Sequence, residues 1–179
     1  MKNSIKTLMG MVATATLIVL TGCAAPATKE AMEVPALQTT KRFVQSVQVK
    51  TSGGSETQAA GGTNVSDSDL KAAIESSITK ARLFNTVVQG KGGDYELSVV
   101  LANVNKPMMG FSMTVDVDAG WSLTRVSDRT IVMRKQIQST HTVGATEAFA
   151  GVKRVQMALE GAVRKNIEQG LLAIAEQNL

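Results

Sequence analysis

The chain has 179 residues, with 19 Lys and Arg side chains against 15 Asp and Glu, which gives a formal net charge of +4. This mild charge and an aromatic content of 3% argue against a nucleic-acid partner, because such proteins usually combine a strong basic patch with stacking aromatic rings. A single Cys excludes an intrachain disulfide and a Cys-rich metal site. Apolar residues make up 44% of the chain, which is typical of a globular domain.

The first 22 residues have the pattern of a signal peptide. Lys2 and Lys6 give a positively charged start, and mostly apolar residues follow over 7–20. This run is too short to span a bilayer comfortably, but it suits a signal-peptide core. We therefore expect residues 1–22 to be removed, which leaves 17 basic and 15 acidic side chains.

The apolar run ends in Leu20-Thr21-Gly22-Cys23. This tetrapeptide resembles the lipobox of bacterial lipoproteins, in which an aliphatic residue and two small residues precede a Cys. The resemblance implies peptidase recognition through Leu20, Thr21 and Gly22, cleavage before Cys23, and a diacylglyceryl thioether on its sulfur, usually with a further acyl chain such as palmitate on the new amine. Two or more acyl chains anchor a protein stably, since each buried methylene contributes roughly 0.8 kcal/mol.

The residue after the Cys bears on the destination of the lipoprotein. Ala24 follows Cys23, where an Asp would have favoured retention in the inner membrane. The resemblance therefore implies a periplasm-facing protein anchored in the outer membrane, with the inner membrane as the alternative. Residues 23–40 are predicted to be the lipidated N-terminus and a flexible tether, because Pro26 and Pro35 break regular structure among small and polar residues.

The remaining residues, 41–179, are predicted to form one domain that begins with a strand, a loop, a helix and a second strand. Apolar residues alternate over 41–51, whereas 52–65 is rich in Gly, Ser and Thr. Ser66 or Ser68 can begin a helix, and a short strand is predicted over 84–88. The apolar stripe of the helix consists of Leu70, Ile74, Ile78 and Ala81.

The second half of the domain has the more regular pattern. Residues 95–101 alternate between apolar and other side chains, and a turn over 107–110 leads into a strand over 111–124 in which every second residue is apolar. Strict alternation of this length predicts an antiparallel sheet with one solvent-facing side. A partner strand over 131–141 and a long helix over 146–176 complete the chain.

The inner face of the long helix is predicted to carry six apolar residues: Phe149, Val152, Leu159, Val163, Ile167 and Ile174. Gly161 and Gly170 each weaken a helix by about 1 kcal/mol relative to Ala, so a bend or close packing is expected there. The element order predicts an α+β fold, with an antiparallel meander sheet of four to five strands and two helices packed on one face.

A lipobox followed by strand, helix, meander and long helix resembles a group of small outer-membrane lipoproteins. This group includes the lipopolysaccharide-assembly auxiliary lipoprotein, and the similarity covers residues 41–179 by element order. That lipoprotein typically has a Trp-containing segment directly after its lipidated Cys, whereas the only Trp here is Trp121. The resemblance therefore favours another member of the group.

No arrangement of residues predicts catalysis, a cofactor or a metal. His141 is the sole histidine, so no multi-His metal site is possible, and a surface position near a strand end is expected. Asp116 and Asp118 lie on one strand face, roughly 7 Å apart, where they could hold a cation or form part of a solvated polar face. The glycine pairs lack the spacing and the Lys-Ser/Thr of a phosphate loop.

Two groups of residues are candidates for surface interactions. Met108, Met109 and Phe111 form an apolar hairpin tip, which could contact a partner or a membrane or could fold back over a helix. Four basic residues of the last helix could contact anionic lipid headgroups or form its solvated face. They are Lys153, Arg154, Arg164 and Lys165.

The predicted anchor, a compact domain and the lack of a catalytic pattern together indicate a non-enzymatic lipoprotein. We expect it to bind or scaffold an envelope assembly, with an envelope protein or glycolipid as partner. The alternative is a carrier that holds a small apolar ligand or lipid between its helices and sheet. An enzyme acting on cell-wall material is a third class, for which Asp116 is the residue to test.

Overall fold

The computed structural model describes residues 26–55, 63–106 and 110–179. The strands form one five-stranded sheet in the order β2-β1-β3-β4-β5. The predicted α+β class is confirmed. The helices and strands in these ranges are α1 Lys29–Met32, β1 Phe43–Ser52, α2 Asp67–Ala81, β2 Phe84–Val88, β3 Tyr95–Asn105, β4 Met113–Arg125, β5 Ile131–Val143 and α3 Gly151–Ala175.

Strands β3, β4 and β5 form the predicted antiparallel meander. Leu97 of β3 lies opposite Leu123 of β4, which in turn lies opposite Met133 of β5. The alternating pattern of β4 places its apolar residues on the buried face and its polar residues on the other face. The prediction for this half of the sheet is confirmed.

The other half of the sheet is parallel, so the prediction of a purely antiparallel meander is wrong there. Strand β1 pairs in parallel with both β2 and β3. The physical reason is the connection through α2, which returns the chain to the level at which β1 begins. A strand that follows such a helical crossover runs parallel to the first one.

A short link between β2 and β3 crosses over β1. Parallel strands usually need a connection of a dozen or more residues, but here β2 ends and β3 begins beside the same residues of β1, Val47 and Gln48. The Gln48 side-chain oxygen accepts the backbone N–H of Gly92 at 2.9 Å. A Cβ on Gly93 would lie 2.8 Å from the backbone nitrogen of Gln48, so the crossing requires glycine.

Helices α2 and α3 cover the same face of the sheet, as predicted, but the described residues contain three helices rather than the predicted two, and the additional helix α1 contacts both of the others. Ser66 caps α2 by accepting the N–H of Asp69 at 2.9 Å, which settles the choice of cap. On α3, a Cβ on Gly170 would lie 2.5 Å from the ring of Trp121, so the expected close packing is present. The Trp121 indole N–H donates to the Asn166 side-chain oxygen at 2.9 Å.

Residues 26–34 differ from the predicted flexible tether. They include α1, and the side chains of Ala27, Met32 and Val34 are buried in the same core as the sheet and helices. Three apolar side chains within eight residues supply enough buried surface to hold this segment on the domain. The two prolines misled the prediction, because Pro26 begins the packed segment and Pro35 directly follows it, so neither interrupts it.

Candidate functional site

One end of the domain exposes large apolar side chains. Phe111 is 90% exposed and Phe149 is fully exposed, and Val152 is exposed as well. We call these three residues the apolar end. Where large exposed apolar side chains form a patch, they mark a surface that contacts another molecule or a membrane.

The fold brings these residues to the same end of the domain from two distant parts of the chain. Phe111 lies just before β4, and Val152 lies in the first turn of α3. The start of β4 is paired with the end of β5, which leads into α3. A Cβ on Gly151 would lie 3.6 Å from the Met113 side chain, so the beginnings of β4 and α3 are in contact.

Phe149 was predicted to lie on the inner face of the last helix, and this prediction is wrong. Helix α3 begins at Gly151 and not near residue 146, so Phe149 precedes it. Arg154 holds the preceding loop by donating to the backbone oxygens of Ala148 and Phe149, at 2.9 and 3.2 Å. The backbone is therefore fixed by polar contacts, while the Phe149 side chain points into solvent. Val152 was predicted for the same inner face and is also exposed.

The predicted interaction and lipidation residues are only partly described. Phe111 is exposed and does not fold back over a helix, while its contact with a partner or a membrane stays a prediction. The other predicted site residues lie outside the described residues, so their roles stay predictions: Leu20, Thr21, Gly22, Cys23, Met108 and Met109.

The segment of residues 26–34 is attached to α3 through a buried carboxylate. Glu160 is only 7% exposed. One of its oxygens accepts the backbone N–H of Thr28 at 3.1 Å, the hydroxyl of the same residue at 3.3 Å and the Gln156 amide at 3.0 Å. A buried carboxylate needs such donors, so losing the segment would leave Glu160 poorly satisfied.

The same segment is attached to α2 at its other end. Glu33 pairs with Lys80 and accepts a hydrogen bond from Ser76 at 2.7 Å. The hydrogen bond from Lys80 is the main reason that the pKa of Glu33 lies below its usual value. The backbone N–H of Val34 donates to Ser77 at 2.9 Å, in a buried position.

Asp116 and His141, two of the residues that the sequence singles out for possible metal binding or catalysis, both lie in ordinary structural contacts. Asp116 accepts hydrogen bonds from Thr140 at 2.7 Å and from Asn105 at 3.4 Å, on the solvent-facing side of the sheet. His141 is half-buried beside α3, where burial, and next the charges of Lys165 and Arg164, lower its pKa. Within the described ranges, no group of three His, Cys, Asp or Glu side chains could hold a metal ion.

The four basic residues of α3 are used in local contacts. Lys153 donates to the Gln156 side chain at 3.0 Å, and Arg154 holds the loop before α3. Further along the helix, two of them donate to backbone oxygens, Arg164 to Ala31 and Lys165 to Thr140. Lys153 is nevertheless exposed beside Val152 and places a positive charge at the rim of the apolar end.

The described residues between the sheet and the helices form a filled core. Side chains from β1, β3, β4, β5 and all three helices are buried there. A surface hollow of about 550 Å³ lies at the other end of the domain, beside the start of β1 and the end of α2, and Arg42 and Arg82 contribute to its lining. No helix among the described residues is long and apolar enough to cross a membrane.

The sequence matches no protein-family model, and comparison with curated proteins finds no significant relative. The fold, in contrast, is similar to solved structures. The protein XCC0632 from Xanthomonas campestris, of the DUF330 family, superposes with a TM-score of 0.61 at 12% sequence identity, over 80% of this chain and 92% of that chain. The hypothetical protein CT253 from Chlamydia trachomatis superposes with a TM-score of 0.52 at 3% identity, over 75% and 96% of the two chains.

A minor lipoprotein from Acinetobacter baumannii is more distant, with a TM-score of 0.47 at 6% identity, over 73% of this chain and 91% of that chain. A TM-score below 0.5 is too low to carry an argument about this chain. The likeness to XCC0632 and CT253 shows a shared fold. At these identities, similarity of fold does not transfer a function.

Proposed function

We propose that the protein is a membrane-anchored, periplasm-facing lipoprotein that serves as a non-enzymatic binding or scaffold subunit in envelope assembly or maintenance. The observation that carries the proposal is the packed segment of residues 26–34, which begins three residues after the predicted lipid acceptor Cys23. A lipid on Cys23 would then be joined almost directly to a rigid domain. This arrangement suits a subunit that works at a membrane surface.

The proposed role as a binding subunit rests on the apolar end. Phe111 and Phe149 expose whole aromatic rings, and aromatic side chains contribute large contact areas at interfaces. Asp116, the residue to test for an enzyme, accepts hydrogen bonds from Thr140 and Asn105 on the open face of the sheet. These surroundings favour a scaffold over an enzyme. We propose an envelope protein or a glycolipid as the partner of this scaffold and the outer membrane as its location.

The carrier of a small apolar ligand is the weaker candidate. Such a carrier needs a concave and mostly apolar pocket. The space between helices and sheet, where we expected that pocket, is occupied by buried side chains. No specific observation therefore favours the carrier over the scaffold.

The test is the intact mass of the protein extracted from membranes, measured together with a Cys23→Ser variant. We expect the mass of residues 23–179 plus acyl chains, and we expect the acyl mass to be absent from the variant. A wild-type mass without acyl chains would refute the proposal that the protein is a lipoprotein. An affinity purification in mild detergent then tests the scaffold, and repeated recovery of no envelope protein or glycolipid would contradict it.

A further inference from the structure

The packed N-terminal segment runs parallel to α3, and its N-terminal end is the one nearer the apolar end. The backbone oxygen of Ala31 accepts from Arg164 at 3.1 Å, and that of Pro26 accepts from Gln156, also at 3.1 Å. Between these two contacts the segment follows α3 for about 12 Å, at a rise of about 1.5 Å per residue. Going back along the chain toward Cys23 therefore means moving toward the first turn of α3.

The distance that remains is short. Gln156 lies about 7.5 Å of helix rise from Gly151, the first residue of α3. Three residue steps separate Pro26 from Cys23, and extended chain covers at most about 3.6 Å per residue, or roughly 11 Å in all. The Cα atom of Cys23 can therefore lie at most roughly 11 Å from that of Pro26. A lipid attached there must enter the bilayer close to this part of α3.

We propose that the apolar end, formed by Phe111, Phe149 and Val152, lies against the lipid surface in which Cys23 is anchored. The proposal rests on the proposed lipidation of Cys23 and adds an orientation to it. The packed segment of residues 26–34 is then a short, fixed connection between the lipid anchor and the domain. The domain is oriented on the membrane with the starts of β4 and α3 facing the lipid. The opposite end, where β1 begins, faces the periplasm.

The chemistry of the apolar end fits a lipid surface. Aromatic and aliphatic side chains bury themselves at the boundary between headgroups and acyl chains, where Lys and Arg at the rim meet anionic headgroups. Lys153 is placed for that role, next to Val152 on α3. A second copy or a protein partner could also cover apolar side chains, but the nearby anchor brings the bilayer to this end regardless of other partners.

The test measures contact between single side chains and acyl chains. Lipidated protein is reconstituted into vesicles of phosphatidylethanolamine and phosphatidylglycerol that carry bromine atoms on their acyl chains, and Trp emission is recorded. Trp121 is the only native Trp and is buried against α3, so it gives a constant background. The probes are Phe111→Trp and Phe149→Trp, and the matched control is Val44→Trp, an exposed residue at the start of β1.

We expect brominated lipid to quench the emission of the indoles introduced at 111 and 149. We also expect the bilayer to shift this emission to shorter wavelength. We expect neither effect at 44. Intact mass on the same sample separates the two proposals. Acylated protein without quenching at 111 and 149, or with equal quenching at 44, overturns the orientation and leaves the anchor intact, whereas an unacylated mass refutes the anchor itself.

The oligomeric state in detergent separates a lipid surface from a second copy. Because Phe149 is exposed, Phe149→Ser should leave the fold unchanged. We expect the variant to have the same oligomeric state as the wild type, while the Phe111→Trp probe in this background loses part of its quenching. A wild-type dimer that Phe149→Ser converts to a monomer would make the apolar end a contact between copies and would overturn the proposal.

Discussion

Strands β3, β4 and β5 pair with one another in sequence order, whereas β1 pairs in parallel with β2 and β3, which follow only after α2 and a further loop. The first arrangement needs a hairpin at each turn, and its register follows from alternating side chains. The second arrangement needs a helical crossover, a link that passes over a strand and a segment from the N-terminus that packs beside α2. Local patterns therefore specify the antiparallel half, and a few long-range contacts specify the parallel half.

These long-range contacts are also the places where single substitutions should separate the two halves. The N-terminal segment contributes Met32 to the core, and the link over β1 contributes Gly93. The pairing of β3, β4 and β5 follows from hairpins instead, although the N-terminal segment also packs on α3, the helix that covers β4 and β5. The best-placed polar probe of this antiparallel half is His141 on β5, against α3.

The largest effect is expected from Met32→Ala. The Met32 side chain is 0% exposed and packs where α1 meets α2 and α3. Removing a buried Met side chain typically costs about 2–5 kcal/mol, so we expect the free energy of unfolding to fall by that amount. Urea unfolding followed by circular dichroism measures it.

Met32→Leu is the matched control, because it keeps the volume and should cost less than about 1.5 kcal/mol. A loss below about 1 kcal/mol for Met32→Ala would mean that the segment contributes little to the core. The prediction also concerns the connection to the membrane. If Met32→Ala releases residues 26–34 from the domain, they would act as the flexible tether that the sequence predicts.

A smaller effect is expected where the link crosses β1. In Gly93→Ala the new Cβ would meet the backbone of Gln48 at 2.8 Å and the carbonyl carbon of Val47 at 3.1 Å. Backbone atoms cannot rotate away, so overpacking here should cost about 1–3 kcal/mol. The control is Gly90→Ala, in the same link, where φ is +84° but no atom lies within 4 Å of the new Cβ.

Gly90→Ala should cost only the left-handed backbone strain, about 1–2 kcal/mol. Hydrogen exchange of the β1 and β2 amides locates the damage. We expect Gly93→Ala to increase exchange in these two strands more than in β4 and β5. Equal increases across the sheet would show that the halves unfold as one unit and would remove the distinction between them.

The sequence predicts the antiparallel half well, for a physical reason. Burial alternates along β4 because one face of the sheet meets the helices, and this period of two is visible in the sequence without any knowledge of pairing partners. Ser66 as a helix cap and Gly170 as a point of close packing are also predicted from residue type and position alone. The parallel pairing of β1 was missed because alternation looks the same in parallel and antiparallel strands.

The candidate site was predicted only in part. Phe111 follows from its place in an apolar hairpin, but Phe149 fits the periodicity of the last helix and was assigned to its inner face. Only the start of α3 at Gly151 decides between inside and outside, and the glycines at 144 and 151 were the available signal for a loop. The packing of residues 26–34 depends on Glu160, more than a hundred residues away, and no local pattern could reveal it.

The smallest effect is expected from the pH dependence of the antiparallel half. Burial, and next the charges of Lys165 and Arg164, hold the pKa of His141 below its usual value near 6.5, and Glu147 opposes them. The unfolded chain therefore takes up the proton first as the pH falls. Stability is full above about pH 6.5 and should decrease as the pH falls below it.

The loss of stability caused by His141 occurs in a different pH range from the loss caused by the carboxylates. Glu33 and Glu96 have pKa values below the usual 4.5, so their contributions are lost only as the pH falls further, below about 4.5. Urea unfolding at about pH 7.5 and about pH 5 should therefore show a small loss that His141→Gln abolishes. An equal loss in the variant would assign the effect to other groups. A gain in stability at the lower pH would mean that the protonated imidazole is favoured beside α3, which the two positive charges there make unfavourable.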